Sequence, residues 1–115
     1  MLQVIQANNG LVLQLTSDLI MENSREFFQD FMDAFGEGPG EVLLDFGKTR
    51  FIDSSGIGIL LRVSEHVNTE NRGSLVLHGL NNHMLSVFKL AGLLKVLDII
   101  EEDAARVKFP ELFEN

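Results

Sequence analysis

The segment Thr49-Arg50-Phe51-Ile52-Asp53-Ser54-Ser55-Gly56-Ile57-Gly58 constrains the fold more tightly than any other stretch of the chain. An apolar pair, Phe51-Ile52, ends at Asp53-Ser54-Ser55-Gly56, and an apolar run of helical period starts directly after it. Extended structure has to stop at that boundary and a helix has to begin there. Asp and Ser are favoured N-cap residues, because their short side chains accept hydrogen bonds from first-turn N–H groups that lack a partner inside the helix. One such residue suffices, and here three stand in a row. A hydroxyl at this junction also lies at the positive end of the helix dipole, where a phosphate can be received and held. Gly56 and Gly58 fall in the first turn, where glycine costs about 0.5–1 kcal/mol relative to alanine. Close approach of another backbone, from a neighbouring strand or a partner, offsets such a cost. Ile59 and Val63 lie off the main apolar stripe of Ile57, Leu60, Leu61, Ser64 and Val67, and are expected to carry apolar surface outward beside the serines.

The remaining elements follow from periodicity and punctuation. Leu2-Gln3-Val4-Ile5-Gln6, the turn signal Asn8-Asn9-Gly10 and the alternating Leu11-Val12-Leu13-Gln14-Leu15-Thr16 read as an N-terminal hairpin with Leu11, Leu13 and Leu15 on one face. Asn23-Ser24-Arg25-Glu26 resembles a capping box with Asn23 as N-cap and Glu26 at N3. Phe27, Phe28, Phe31 and Phe35 then recur at helical spacing, the pattern of an amphipathic helix packed on a sheet, and Gly36, Gly38, Pro39 and Gly40 end it. Glu41–Phe46 reads as a buried strand, and the helix after Asp53 is expected to run to about Glu70, where Gly73 breaks it. Ser74–His78 reads as a further strand. Asn81-Asn82 starts a helix carrying Met84, Leu85, Val87 and Phe88 to Ala91-Gly92. Val96–Ile100 is expected as a last strand, Glu101-Glu102-Asp103 as the start of a short helix, and Pro110 as the end of order. Strands that alternate with single helices imply crossover units. The expectation is one α/β domain over residues 1–115, with a mixed, mostly parallel sheet of about five strands flanked by about four helices.

Composition closes off several function classes. The formal net charge of −8 argues against nucleic acid, whose phosphates need a basic surface, and fits a partner-binding protein. Without cysteine there is no thiol nucleophile, disulfide or thiolate metal site. No leader pattern is visible, and no apolar run approaches the roughly 20 residues that span a bilayer, so the chain reads as cytoplasmic with no membrane insertion. Gly47-Lys48-Thr49 resembles the tail of a phosphate-binding P-loop, but Val42 stands where the first glycine belongs, and Phe51-Ile52 follow where a helix should begin. His66, His78 and His83 have no metal-ligand spacing and read as surface or boundary residues, so neither metal nor cofactor is expected. Ser54 and Ser55 lack the first glycine of the Gly-x-Ser-x-Gly elbow, so no catalytic residue is assigned and the chain reads as a non-enzyme.

Leu43-Leu44-Asp45-Phe46, followed by Phe51-Ile52-Asp53-Ser54-Ser55-Gly56-Ile57-Gly58-Ile59-Leu60-Leu61, resembles the signature of STAS domains of the anti-sigma factor antagonist type. Leu90-Ala91-Gly92-Leu93-Leu94-Lys95-Val96-Leu97 is similar to that family's late helix-to-strand segment. The resemblance implies phosphorylation of the serine after the aspartate, Ser54 here, by an anti-sigma factor that is also an ATP-dependent serine kinase, with a serine phosphatase that resets it. Unphosphorylated, such a protein binds the anti-sigma factor and frees the sigma factor; phosphorylated, it lets go. It implies a partner-binding switch surface of Asp53, Ser54, Ser55, Gly56, Ile57, Gly58 and Ile59, with Ile20 and Glu22 from the facing loop, on a monomer when unbound. One departure stands out: in Ser17-Asp18-Leu19-Ile20, Ile20 occupies the place of the family's usual acid, and Glu22 or Asp18 replaces it only if the loop shifts. That departure keeps a second expectation open, a non-phosphorylated STAS scaffold or subunit of a transporter or signalling complex.

Overall fold

A computed structural model describes residues 1–36, 40–69 and 73–114. Five strands form one sheet in the order β1-β2-β3-β4-β5. They are β1 (Leu2–Ala7), β2 (Gly10–Leu15), β3 (Gly40–Asp45), β4 (Gly73–His78) and β5 (Asp98–Ile99). β1 and β2 are antiparallel across the Asn8-Asn9 turn, with Ala7 opposite Gly10. The pairs β2–β3, β3–β4 and β4–β5 are all parallel. Helices α1 (Met21–Phe35), α2 (Ser54–Thr69) and α3 (Asn82–Leu90) make the three crossovers, and α4 (Glu102–Lys108) follows β5. The sequence order of two strands followed by alternating helices and strands holds throughout.

The period-two pattern of the strands divides the core into two layers. Leu13 and Leu15 of β2, Val42 and Leu44 of β3 and Leu75 and Leu77 of β4 pack against α1, α2 and α3. Val12 and Leu43, on the opposite face, pack against Ala105 of α4 and Phe109. The phenylalanine stripe of α1 is core: Phe27, Phe31 and Phe35 are buried, and the Phe31 and Phe35 rings stack at 5.8 Å between centroids. Gly36 ends α1 at a positive φ of 59°, its N–H donating to Met32 O at 3.0 Å.

Several expectations are corrected. Asn23 is not the N-cap of α1; the helix starts at Met21, with Ile20 as N-cap and Asn23 at N3. Asn23 Oδ1 reaches back to accept from Ile20 N–H at 2.9 Å, so the asparagine plays the part assigned to Glu26. The last strand shrinks to Asp98–Ile99, because Val96 and Leu97 N–H groups donate to Leu93 O at 3.0 and 2.9 Å and are lost to the ladder. Order does not end at Pro110: a 3-10 turn, Pro110–Phe113, returns to the sheet, and Asn8 N–H donates to Glu111 Oε2 at 3.0 Å. Gly38, Pro39 and Glu70, expected at helix ends, lie outside the described residues.

Because Phe31 is fully buried between its aromatic neighbours, Phe31→Ala is expected to cost about 3–5 kcal/mol of stability, measured by urea unfolding.

Candidate functional site

The site is built from two connections that lie side by side at the carboxyl ends of β2 and β3. Leu19 and Ile52 form an isolated parallel bridge. Leu19 N–H donates to Phe51 O at 3.1 Å, and Asp53 N–H donates to Leu19 O at 3.2 Å. Asp18 Oδ1 accepts from Arg50 N–H at 2.9 Å and Phe51 N–H at 3.2 Å, while Thr49 Oγ1 donates to Ser17 O at 2.9 Å. A third connection adds Asn81 Nδ2, which donates to Arg50 O at 3.0 Å. The loop before the serines is therefore tied down along its length by its neighbours, and the helix that follows is aimed rather than floppy.

Asp53 is the N-cap of α2. Its carbonyl accepts from Ile57 N–H at 3.0 Å, and its Oδ1 accepts from Gly56 N–H at 2.9 Å. Its other carboxylate oxygen, Oδ2, accepts from Met21 N–H at 2.9 Å, the first residue of α1. One side chain thus satisfies first-turn donors of two helices whose N-termini converge on it. The Gly56 N–H holds the Asp53 carboxyl below its ordinary value of 3.8; partial burial pushes it up, and the Met21 N–H helps to outweigh that. An isoleucine cannot cap α1 with its side chain, and the missing acceptor comes from Asp53 across the loop.

Ser54 and Ser55 are N1 and N2 of α2, the first exposed and the second half-buried. Neither hydroxyl hydrogen-bonds to another group among the described residues, and no histidine reaches them: His78 pairs with Asp45, His83 stacks on Phe51, and His66 meets the Phe35 edge. Gly56 is buried, and a Cβ there would come 2.5 Å from Leu19 O and 2.7 Å from Ile52 Cγ1. The close approach expected of the glycines is real at Gly56 alone. At Gly58, exposed on the same helix, a Cβ would meet nothing within 4 Å. Ile57 and Ile59 are half-buried and pack at the core margin. Val63, expected to face outward, is fully buried, because the apolar face of α2 is wider than the stripe counted in sequence. The exposed line instead runs Ser54, Gly58, Arg62, with the Arg62 guanidinium 4.5 Å over the Phe28 ring. Ile20 is half-buried and Glu22 exposed, and no hydrogen bond or ion pair links Glu22 to the serines among the described residues.

Sequence reasoning missed a polar row across the sheet beside this site. Gln14, Asp45 and His78 sit in register on β2, β3 and β4. Asp45 Oδ1 pairs with His78 Nδ1 at 2.8 Å and its Oδ2 accepts from Gln14 Nε2 at 2.8 Å, so His78, read as a surface or boundary residue, is buried and paired. Burial pushes the Asp45 carboxyl up, but the His78 and Gln14 hydrogen bonds outweigh it and hold it below the usual range. The Phe113 ring closes over His78 edge-on at 5.6 Å. The signal available was Asp45 itself, a lone acid ending an otherwise apolar strand.

A mixed sheet with a helix N-terminus that presents a free serine at the carboxyl end of a parallel strand defines a STAS-type module. Residues 2–101 match the family model described as "Mlab, STAS domain", and the chain belongs to that family. The chain is 27% identical over 88 residues to BtrV of Bordetella bronchiseptica, described as a candidate anti-sigma factor antagonist, covering 76% of this chain and 75% of that protein. Its fold is similar to the crystal structure of a candidate anti-sigma factor antagonist from Thermotoga maritima (TM-score 0.81, 18% identity, 95% and 94% of the two chains covered). It is also similar to the anti-sigma factor antagonist SpoIIAA in its unphosphorylated form (TM-score 0.67, 19% identity, 94% and 98% covered).

Two predictions follow from this geometry. Gly56→Ala is expected to destabilise by about 1–3 kcal/mol through overpacking against Leu19 and Ile52, whereas Gly58→Ala is expected to stabilise by about 0.5–1 kcal/mol; urea unfolding of the two variants shows opposite signs. The depressed native pKa of Asp53 means its contribution is fully present well above 3.8 and is lost as pH falls below 3.8 through the lowered native value. The difference in melting temperature between the protein and Asp53→Asn is therefore expected to be largest near neutral pH and to shrink below that range.

Proposed function

We propose that this chain, acting as one STAS module over residues 1–115, is an anti-sigma factor antagonist switched by phosphorylation of Ser54. The observation that carries the reading is the exposed, unbonded Ser54 hydroxyl at the first position of α2, where two helix N-termini converge on Asp53. A phosphate adds about −1.5 to −2 charges and three acceptor oxygens. At a helix N-terminus that charge is tolerated by the dipole and by first-turn N–H groups, so the folded protein can carry it without rearrangement. The switch then acts on whatever is docked, by placing charge and bulk in the contact. Gly58 supports a docking face along α2, since nothing among the described residues requires a glycine at that exposed position. A flat spot one turn from Ser54 lets a partner backbone come close. The partner in this reading is an anti-sigma factor with serine kinase activity, a serine phosphatase reverses the mark, and the protein itself binds rather than catalyses. The likeness to BtrV supports the partner class.

A second reading is favoured by one feature. Beside Asp53 the α1 terminus presents Ile20 and the exposed Met21 ahead of Glu22, and Phe51 is exposed on the adjoining loop. This apolar rim fits a permanent subunit contact in a transporter or signalling complex, in which Ser54 is not modified.

The experiment is a pull-down and a binding titration with Ser54→Ala and Ser54→Asp, together with mass-spectrometric mapping after incubation with the captured partner and ATP. The antagonist reading expects phosphate on Ser54. It also expects Ser54→Ala to bind like the unmodified protein, and Ser54→Asp to bind roughly two to three orders of magnitude more weakly, the effect of a desolvated like charge. A partner that binds both variants equally and places no phosphate on Ser54 establishes the scaffold reading instead.

A further inference from the structure

The sheet has one long edge on which no further strand is paired among the described residues. β1 pairs with β2 alone. Met1 O accepts from Thr16 N–H at 2.9 Å, and Ala7 and Gly10 close the two-residue turn, so the odd-numbered residues of β1 hold the hydrogen bonds to β2. The N–H and C=O groups of Leu2, Val4 and Gln6 therefore point away from the sheet, and none has a backbone partner among the described residues. Natural edges are commonly blunted with lysine, proline, a bulge or shortness. The β1 sequence Leu-Gln-Val-Ile-Gln-Ala has no charge and no proline, spans six residues, and leaves Val4 half exposed. The opposite edge, β5, is only two residues long.

The helix beside this edge is strongly acidic on one side. Glu22, Glu26, Asp30 and Asp33 follow one another at spacings of four, four and three, which places them in one row along α1. α1 and β1 run side by side in the same direction: the Met1 ammonium lies 3.9 Å from Glu26, and Leu2 and Val4 share a groove with Asp30, Asp33 and Ala34. The acids recur every ~6 Å along the helix, close to the ~6.6 Å between alternate side chains of a strand. A strand added to β1 would thus present every second side chain to a carboxylate.

We propose that β1 is a docking edge for an extended basic segment of a partner protein, which adds as a sixth strand and carries Lys or Arg at alternate positions over the α1 acids. Backbone pairing with Leu2, Val4 and Gln6 supplies the affinity and the acid row supplies the selection. A second copy of this chain is the poorer occupant. Two-fold pairing of β1 with itself keeps the same faces aligned and brings two acidic α1 rows together, on molecules of net charge −8 each. The proposal does not rest on the switch at Ser54.

The probe is a capped hexapeptide alternating Lys and Val, titrated into the full chain and followed by amide NMR, with an alternating Glu–Val peptide and a Lys–Val peptide N-methylated on alternate amides as counterparts. The proposal expects saturable shifts at Leu2, Val4 and Gln6 and along α1, with slowed amide exchange at those three residues. It expects binding to be lost with the N-methylated peptide, at least fivefold weaker with Asp30→Asn plus Asp33→Asn, weaker in high salt, and unchanged in Ser54→Asp. Val4→Pro, which removes an outward-facing N–H only, is expected to abolish binding if the spectrum stays folded; the peptide variants test the same point without altering the protein. Shifts confined to other surfaces, equal binding of the acidic or N-methylated peptide, no binding at all, or a peptide-free dimer in sedimentation that Asp30→Asn plus Asp33→Asn strengthens would each overturn it.

Discussion

A single carboxylate organises the loops at the carboxyl ends of β2 and β3. Asp53 accepts from Gly56 N–H at the start of α2 and from Met21 N–H at the start of α1, so two helices that are far apart in sequence begin at one point. The first turn of each helix has donors with no internal acceptor, and leaving such groups unpaired where water is restricted is costly. The arrangement also sums two helix dipoles at one place. The exposed hydroxyl next to it, Ser54, sits at the same helix N-terminus, beside the ionised Asp53 carboxylate that these dipoles stabilise. Asp53 can serve both helices only because the loops are zipped together by the Leu19–Ile52 bridge and by Asp18.

The two glycines of α2 show how one residue type does opposite jobs. Gly56 lies against the Leu19 carbonyl, with no room for a methyl group, and that contact sets how closely α2 approaches the β2–α1 connection. Gly58, one half-turn on, faces open space, where a methyl group would meet nothing within 4 Å among the described residues. The two positions therefore respond in opposite senses to an added methyl group, which clashes at Gly56 and is free at Gly58. Beneath them, the Gln14–Asp45–His78 row anchors the ends of three adjacent strands, so the loops above rest on a hydrogen-bonded rather than a purely apolar base.

Much of the fold was legible because its signals are local. The hairpin turn, the phenylalanine period of α1, the β3 apolar run and the Asn81 cap each depend on residues within a few positions of one another, and each formed as read. The misreadings share a different cause. The start of α1 differs from the expectation because Met21 N–H finds its acceptor on Asp53, 32 residues away. Val63 was placed outside because the width of the buried face of α2 depends on which elements cover it. The strand at Val96–Ile100 was overlong because a 3-10 turn at Leu93–Lys95 takes its hydrogen-bonding groups. His78 was read as a boundary residue because its partner is set by strand register, which no local pattern encodes.

The sequence by itself determined the order of elements, the presence of a strand-to-helix junction at Asp53-Ser54-Ser55-Gly56, and the acidic, cysteine-free chemistry, because these follow from periodicity, capping propensity and composition. Only the tertiary structure decided what the junction faces. It placed a second helix N-terminus on Asp53, pressed Gly56 against Leu19 while leaving Gly58 bare, and aligned Asp45 with His78. Each of these is a contact between segments distant in the chain, and such contacts are set by how strands pair and helices pack, not by the residues on either side of them.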